Sequence, residues 1–183
     1  IESNIGSNGA LVVRSRFRPR YEPLMVAAKN SKTNTGRRLY FGGITNPNEI
    51  MRVSRQFPDV ISCSPVLRGT VSGRAGFENA TVDLYGIDPA LHARTTDILH
   101  QLIDGSFVDF RNNTSAIIIG SRLAELLQTS VGDTVQLLAP NGEYWRFNVA
   151  AIARAGIGSI DSTRIYSHAK IAQALLQQPS GVY

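Results

Sequence analysis

The alternation of apolar and polar positions changes period several times along the chain, and each change marks an element. Val82 and Leu84 alternate with Asp83 and Tyr85 within Ala80–Ile87, which predicts a half-buried strand. Ala116–Ile119 is a short unbroken apolar run, the mark of a strand buried on both faces. Gly120-Ser121 then turns into a helix whose Leu123, Leu126 and Leu127 share one side. Thr134–Ala139, Pro140-Asn-Gly142 and Tyr144–Ile152 read as strand, tight turn and returning strand.

The first half is less regular. Ala10–Arg16 predicts a strand, reached from a flexible Ser3–Gly9 leader. Asn46-Pro-Asn-Glu49 starts a helix: Asn46 can cap, Pro47 suits the first helical position and Glu49 the third. Ile50, Val53 and Phe57 follow at helical spacing until Pro58 stops the run. Val60–Leu67 reads as a strand, and the turn-rich Gly69–Gly76 as a hairpin or a bulged edge. Asp88-Pro89 breaks the strand before it, and Thr95–Ile103 predicts a short helix closed by Gly105. Gly156 and Gly158 mark a loop before the strand Arg164–Tyr166. Ser167 is placed to cap a last helix with Ile171, Leu175 and Leu176 inward, stopped by Pro179. Hairpins mixed with helices predict an α+β fold rather than a doubly wound sheet.

Composition bounds the function. With 183 residues, 43% hydrophobic and 18% charged, the chain suits one domain or two small lobes sharing a core. That balance excludes a disordered chain. No stretch reaches the roughly 18 to 20 consecutive apolar residues of a spanning helix. The sequence starts at Ile1 with no charged or apolar leader and ends on the strand-like Ser180-Gly-Val-Tyr183, so a domain cut from a longer protein is expected. Cys63 is the lone cysteine, which excludes an internal disulfide, and its setting in Val60-Ile-Ser-Cys-Ser64 reads as a small buried hydrophobe on a strand.

The net charge of +5 is unevenly placed. Arg14, Arg16, Arg18 and Arg20 alternate with Val13, Ser15, Phe17 and Pro19, so at strand period all four guanidinium groups share a face. Lys29, Lys32, Arg37 and Arg38 follow in a polar loop-like stretch. This cluster reads either as a solvated face with a basic loop or as a contact for an anionic ligand, lipid headgroup or nucleic acid. No stacking aromatics or recognition helix accompany it, which argues against nucleic acid.

Catalysis finds no footing. His92, His100 and His168 lack ligand spacing to one another or to Cys63. There is no nucleophile elbow, phosphate loop or dinucleotide fingerprint, and Gly156-Ile-Gly158 lacks the strand-to-helix setting of the last. Asp83, Asp88, Asp97, Asp104, Asp109 and Asp133 fall at predicted turns and strand ends, where carboxylates serve the local backbone. No active site, metal or cofactor is expected.

One ordered pattern is more specific. Gly86-Ile-Asp88-Pro89, Asp104-Gly105, Ile117-Ile-Ile-Gly120-Ser-Arg-Leu123-Ala124-Glu-Leu126, Val131-Gly132-Asp133-Thr134-Val135 and Gly158-Ser-Ile-Asp161 follow one another. Pro58-Asp-Val60-Ile-Ser-Cys-Ser64-Pro65 precedes them. Together they resemble the MacB-like periplasmic core domain of ABC transporter permeases (the FtsX-like permease family, with MacB, LolC and LolE), over about Pro58 to Leu176.

The resemblance implies a domain outside the inner membrane, held between the first two transmembrane helices of a permease. It implies a βαβ-type porter-like lobe (residues 1–68 and 156–183) with an inserted, β-rich sabre-like lobe (69–155). Such a domain carries no active site. ATP is hydrolysed by a separate cytoplasmic ATPase, and the motion moves or releases a lipoprotein, lipid-like molecule, peptide or drug. The implied partners are the permease's own membrane helices, the ATPase subunit, a second permease in a dimer, and a periplasmic carrier or adaptor.

Two departures narrow this. Leu138-Ala-Pro140-Asn-Gly142-Glu-Tyr144 is a minimal turn where LolC-type domains carry a long carrier-recruiting loop. The chain also stops at Tyr183, before the further strand and helix of the porter lobe. Tyr144 and Trp145 lie on opposite faces of their strand and are candidates for substrate or partner contact, with a core role the alternative for Trp145. The arginines 14, 16, 18 and 20 are candidates for headgroup contact. The competing reading is a stand-alone module that binds an anionic ligand through the Arg14–Arg38 cluster.

Overall fold

The computed structural model describes residues 2–5, 11–14, 47–58 and 60–178. The chain divides into two units, Ile1–Thr45 and Asn46–Tyr183. In the first, strand β1 (Glu2–Ile5) pairs antiparallel with β2 (Leu11–Arg14), Glu2 opposite Arg14 and Ile5 opposite Leu11. The expected Ser3–Gly9 leader is therefore strand over Ser3–Ile5. Its polar Glu-Ser-Asn hides the alternation, and the pairing with Leu11–Arg14 is what defines it. Arg16, Arg18 and Arg20 lie outside the described residues.

The second unit opens on helix α1 (Pro47–Ser54), with Pro47 and Glu49 where its start was read. Val53 and Phe57 are nevertheless exposed. Residues 60–65 run without strand pairing, so the predicted strand begins only at Val66. Cys63 is thus half-buried in an irregular segment rather than buried on a strand. Strands β3 (Val66–Ala75) and β4 (Glu78–Ile87) then form one long antiparallel hairpin, turning through Gly76-Phe77. The expected hairpin is there and Gly76 sits in its turn, but Gly69 and Gly73 lie inside β3. Gly69 leaves room for Leu176, and Gly73 for Val82 and Leu137, on the inner face.

Asp88 caps helix α2 (Pro89–Thr95) by accepting from the Leu91 N–H at 3.0 Å. The helix predicted over Thr95–Ile103 is instead the end of α2, the short α3 (Ile98–Gln101) and strand β5 (Leu102–Gly105). Helix α4 (Phe107–Asn112), capped by Ser106, has no counterpart in the sequence reading. Its six residues are too few to show a helical period.

The second half follows the expected order: β6 (Ala116–Gly120), α5 (Ser121–Leu126), β7 (Thr134–Leu138), β8 (Tyr144–Ala153), α6 (Gly158–Asp161), β9 (Arg164–His168) and α7 (Ala169–Leu175). Leu123 and Leu127 are buried as expected, whereas Leu126 points outward and is 58% exposed. The inward side of the short helix is instead made by Leu123, Ala124 and Leu127. Ser167 is buried within β9, and His168 takes the capping position instead.

Seven strands form a single mixed sheet in the order β5-β8-β6-β9-β4-β3-β7, and β7 pairs again with β8. Strands β8, β6, β9, β4, β3 and β7 therefore close into a ring, with β5 beside β8. Closure leaves no free edge along the ring, which guards it against edge pairing. Alternate positions fill the ring: Val82, Leu84, Ile117, Ile119, Val135, Leu137, Phe147 and Ile165. Helices α5 and α7 add Leu123, Leu127, Ala172 and Leu175 to this core. Gly86 lets α7 approach closely, since a Cβ there would strike Ala172 and crowd the Ala169 backbone. A bulge at Ala150, between the pairs Ile117–Val149 and Ile118–Ala151, shifts the alternation of β8 by one residue, so that Phe147 and Val149 before it and Ile152 after it face the inner core. Outside it, Ile98 of α3 and Phe110 of α4 cover Ile87, Ile118, Ala151 and Tyr166.

Candidate functional site

On the outer face of the parallel pair β4–β9, alternate residues build a cation and aromatic cluster. Tyr85 and Tyr166 are direct partners across the two strands, their rings 5.8 Å apart and tilted by 55°. Arg164 sits two residues before Tyr166 on the same face. Its guanidinium carbon is 4.3 Å from the Tyr85 ring centroid, and it donates to the Tyr166 hydroxyl at 3.1 Å and the Tyr85 hydroxyl at 3.3 Å. Burial pulls the Arg164 pKa down, but the two tyrosines, Tyr166 foremost, outweigh it and hold the charge above the usual arginine range.

The neighbouring rung is anionic. Asp83 accepts from Thr70 at 3.2 Å and from Thr163 at 3.2 Å, and pairs with Arg68 at 3.5 Å. The Arg68 side chain is 57% exposed, so this rim pair contributes at most about 1 kcal/mol. Below the cluster, His92 is buried against Tyr166, ring centroids 5.7 Å apart, with Ser64 Oγ 3.3 Å from its Nδ1. Burial and then the Arg164 charge lower its pKa to about 4, so His92 is neutral at pH 7. His168 donates from Nε2 to the Phe110 carbonyl at 2.8 Å, and His100 is exposed on α3. Each histidine thus has a structural or solvent-facing role. Among the described residues no three His, Cys, Asp or Glu side chains converge as metal ligands would.

The motif residues are joints of the fold. Asp161 is buried, and its carboxylate accepts from the Ala155 N–H at 2.7 Å and the Gly156 N–H at 3.1 Å, fixing the turn from β8 into α6. Asp133 accepts from the Ser130 N–H, and Asp104 from the Gly105 N–H, both at 2.8 Å. These carboxylates pin backbone turns, as the sequence reading placed Asp104 and Asp133; Asp161 was legible only as part of its motif. The cluster itself was missed, because Tyr85 and Arg164 are 79 residues apart and meet only through parallel pairing.

Tyr144 is exposed beside the β7–β8 hairpin, opposite Leu138. Trp145 is half-buried and packs on the inner core. The hairpin closes at once, with Gly142 N–H bonded to the Ala139 carbonyl and Ala139 N–H to the Glu143 carbonyl, both at 2.9 Å. Arg14 lies at the end of β2, while the other three arginines of its face fall outside the described residues. No helix among the described residues is long and apolar enough to cross a membrane.

The described residues thus form a closed mixed sheet with helices packed on both of its faces, α5 and α7 on the inner core and α3 and α4 on the outer cluster. The model of the MacB-like periplasmic core domain matches residues 2–183, and the chain belongs to that family. The domains of this family are periplasmic parts of ABC-type transporter permeases. The extracellular domain of the ABC-type transporter YknZ from Gram-positive bacteria superposes with a TM-score of 0.54 at 18% identity, over 77% of this chain and 70% of that one. The periplasmic region of MacB from Actinobacillus actinomycetemcomitans gives a TM-score of 0.53 at 15% identity, over 76% of this chain and 62% of that one. At such identities the likeness is one of fold. No curated protein matches the chain by sequence.

Proposed function

We propose that the chain is the extracytoplasmic lever of an ABC permease. It would carry motion from membrane helices of the same permease, driven by a cytoplasmic ATPase, to a lipoprotein, lipid-like, peptide or drug substrate. The observation that carries this reading is where the chain joins the barrel. Val66, where β3 begins, pairs with Ile87, and Ile87 pairs with His168, where β9 ends. The strand ladder thus begins and finishes at one end, as a domain held between two membrane helices requires. The closed ring supplies the rigidity that a two-state relay needs.

In this reading the permease works as a dimer, with a periplasmic carrier or adaptor as a further partner. Arg14, Arg16, Arg18 and Arg20 contact headgroup phosphates, and the exposed Tyr144 faces substrate or partner, while Trp145 takes the alternative core role, packing on the inner core. In the same reading residues 1–68 and 156–183 belong to a porter-like lobe and 69–155 to the inserted lobe.

Paired spin labels in the full permease, reconstituted with its ATPase, test the reading. Labels at Glu78 and Glu143, with Cys63→Ser, report the barrel itself. A second pair links Glu143 to a membrane helix. ATP is expected to change the second distance and leave the first unchanged. A barrel that stays fixed relative to the membrane through the ATP cycle overturns the reading.

A further inference from the structure

Residues 60–65 run into β3 without strand pairing, yet their serines tie them to α2. Ser62 Oγ donates to the Arg94 carbonyl at 3.1 Å and lies 2.9 Å from Thr95 Oγ1. Ser64 Oγ lies 3.3 Å from His92 Nδ1. The segment is thereby held in place along the helix. Ile61, Ser62 and Cys63 of this segment, Leu91 and Arg94 of α2, and Arg55 just after α1 line a depression of about 300 Å³. That volume is at the lower end of the range for small-molecule sites.

The lining has two chemistries. Arg55 and Arg94 supply two cations, and no acid lines the depression among the described residues. Neither arginine makes an ion pair with another described residue. Ile61 and Leu91 supply apolar surface, and Ile61 is 98% exposed. One exposed isoleucine is ordinary on a protein surface. This one shares a depression with a second aliphatic side chain and two unpaired cations, on a backbone that Ser62 fixes. No aromatic ring among the described residues lines the depression, so it offers a nucleic acid base nothing to stack on.

We propose that this depression binds a small amphiphilic phosphate, an alkyl phosphate monoester. Arg55 and Arg94 engage the phosphate, and Ile61 and Leu91 pack against the alkyl chain. A phosphate suits two guanidinium groups better than a carboxylate does. It offers three terminal oxygens, whereas one arginine fork occupies both oxygens of a carboxylate. The chemistry is the same for a soluble organophosphate and for the head of a phosphatidate in a bilayer. None of the six lining residues enters the transport reading above, and the site stands whether or not that reading does.

Cys63 is the sole cysteine of the chain and lines the depression, so its reaction with N-ethylmaleimide reports occupancy. Saturating hexyl phosphate is expected to slow that reaction in the full chain about tenfold, with a Kd on the order of 100 μM by titration calorimetry. Hexanol and inorganic phosphate, each with half of the recognised chemistry, are expected to slow it less than about twofold. Calorimetry reads the variants. Arg55→Gln and Arg94→Gln are each expected to weaken hexyl phosphate binding about tenfold, and Ile61→Ser about threefold. Arg111→Gln, on exposed α4, is expected to bind as the unaltered chain does. Arg55, Arg94 and Ile61 are all exposed, so thermal unfolding should be unchanged in each variant. Phosphatidate vesicles at the same phosphate concentration separate the two sources. Slowing by both vesicles and hexyl phosphate assigns the ligand to a bilayer, and slowing by hexyl phosphate alone assigns it to a soluble monoester. The proposal is overturned if hexyl phosphate leaves the Cys63 rate unchanged, or if hexanol slows it equally. It is equally overturned if either arginine variant binds hexyl phosphate undiminished. A failure of the transport reading shows separately, as unmoved spin labels in the permease.

Discussion

Arg164 lies over Tyr85 with its guanidinium carbon 4.3 Å from the ring centroid, and it also donates to that tyrosine's hydroxyl and to the hydroxyl of Tyr166. One side chain therefore braces both strands of the parallel pair β4–β9. Parallel pairing is slightly weaker per residue than antiparallel pairing, and the ring depends on this seam to stay closed.

Arg164→Lys keeps the charge but removes the planar fork that serves both hydroxyls. The expected loss is about 1 to 2 kcal/mol in urea unfolding. Tyr85→Phe combined with Arg164→Lys is expected to cost less than the sum of the two, because both remove the same hydrogen bond.

His92 gives the domain a pH dependence. Its folded pKa of about 4 lies below the ordinary value of 6.5, so the unfolded chain binds the proton more readily. Stability is therefore complete above about pH 6.5 and falls as the pH drops toward 4. The whole loss is on the order of 3 kcal/mol. Ser64, Tyr166 and Arg164 are the groups that face the ring. Urea midpoints measured between pH 7.5 and 4 should show this slope, and His92→Gln should flatten its share of it.

Asp161→Ala is expected to cost about 1 to 3 kcal/mol, since two backbone N–H groups of a partly buried turn lose their acceptor. Asp161→Asn retains one carbonyl oxygen and should recover part of that. Equilibrium unfolding of the two variants side by side measures the difference.

Gly86→Ala drives a methyl into Ala172 where α7 crosses the strand. The expected cost is about 1 to 3 kcal/mol, with faster hydrogen exchange along α7. A thermal midpoint unchanged from the parent would show that α7 shifts freely on the barrel.

The legible parts of the fold were those with a local signal. Ala116–Ile119 reads as a buried strand because every side chain is apolar, and the structure buries them all. Pro47 marks a helix start because its ring suits the first helical position, whereas Asp88-Pro89 read only as a strand break and the helix α2 that it opens did not show. Gly69 and Gly73 misled, since a glycine that empties space inside a barrel looks the same in sequence as one that turns the chain. The α3–β5–α4 stretch was misread for lack of length. Cross-strand constellations stayed invisible: nothing local to Arg164 points to Tyr85. The family resemblance was legible through turn carboxylates and close-packed glycines, which preserve joints and say nothing of cargo.

The meeting of Val66, Ile87 and His168 at one end of the barrel has a mechanical consequence. A load applied equally to β3 and β9 at that end, in common mode, translates the barrel without straining a single rung of its ladders. A differential load, pulling one strand against the other, falls on the terminal rungs first and peels β3 or β9 from β4 one bond at a time. The domain is therefore stiff to being carried and soft to being pried apart.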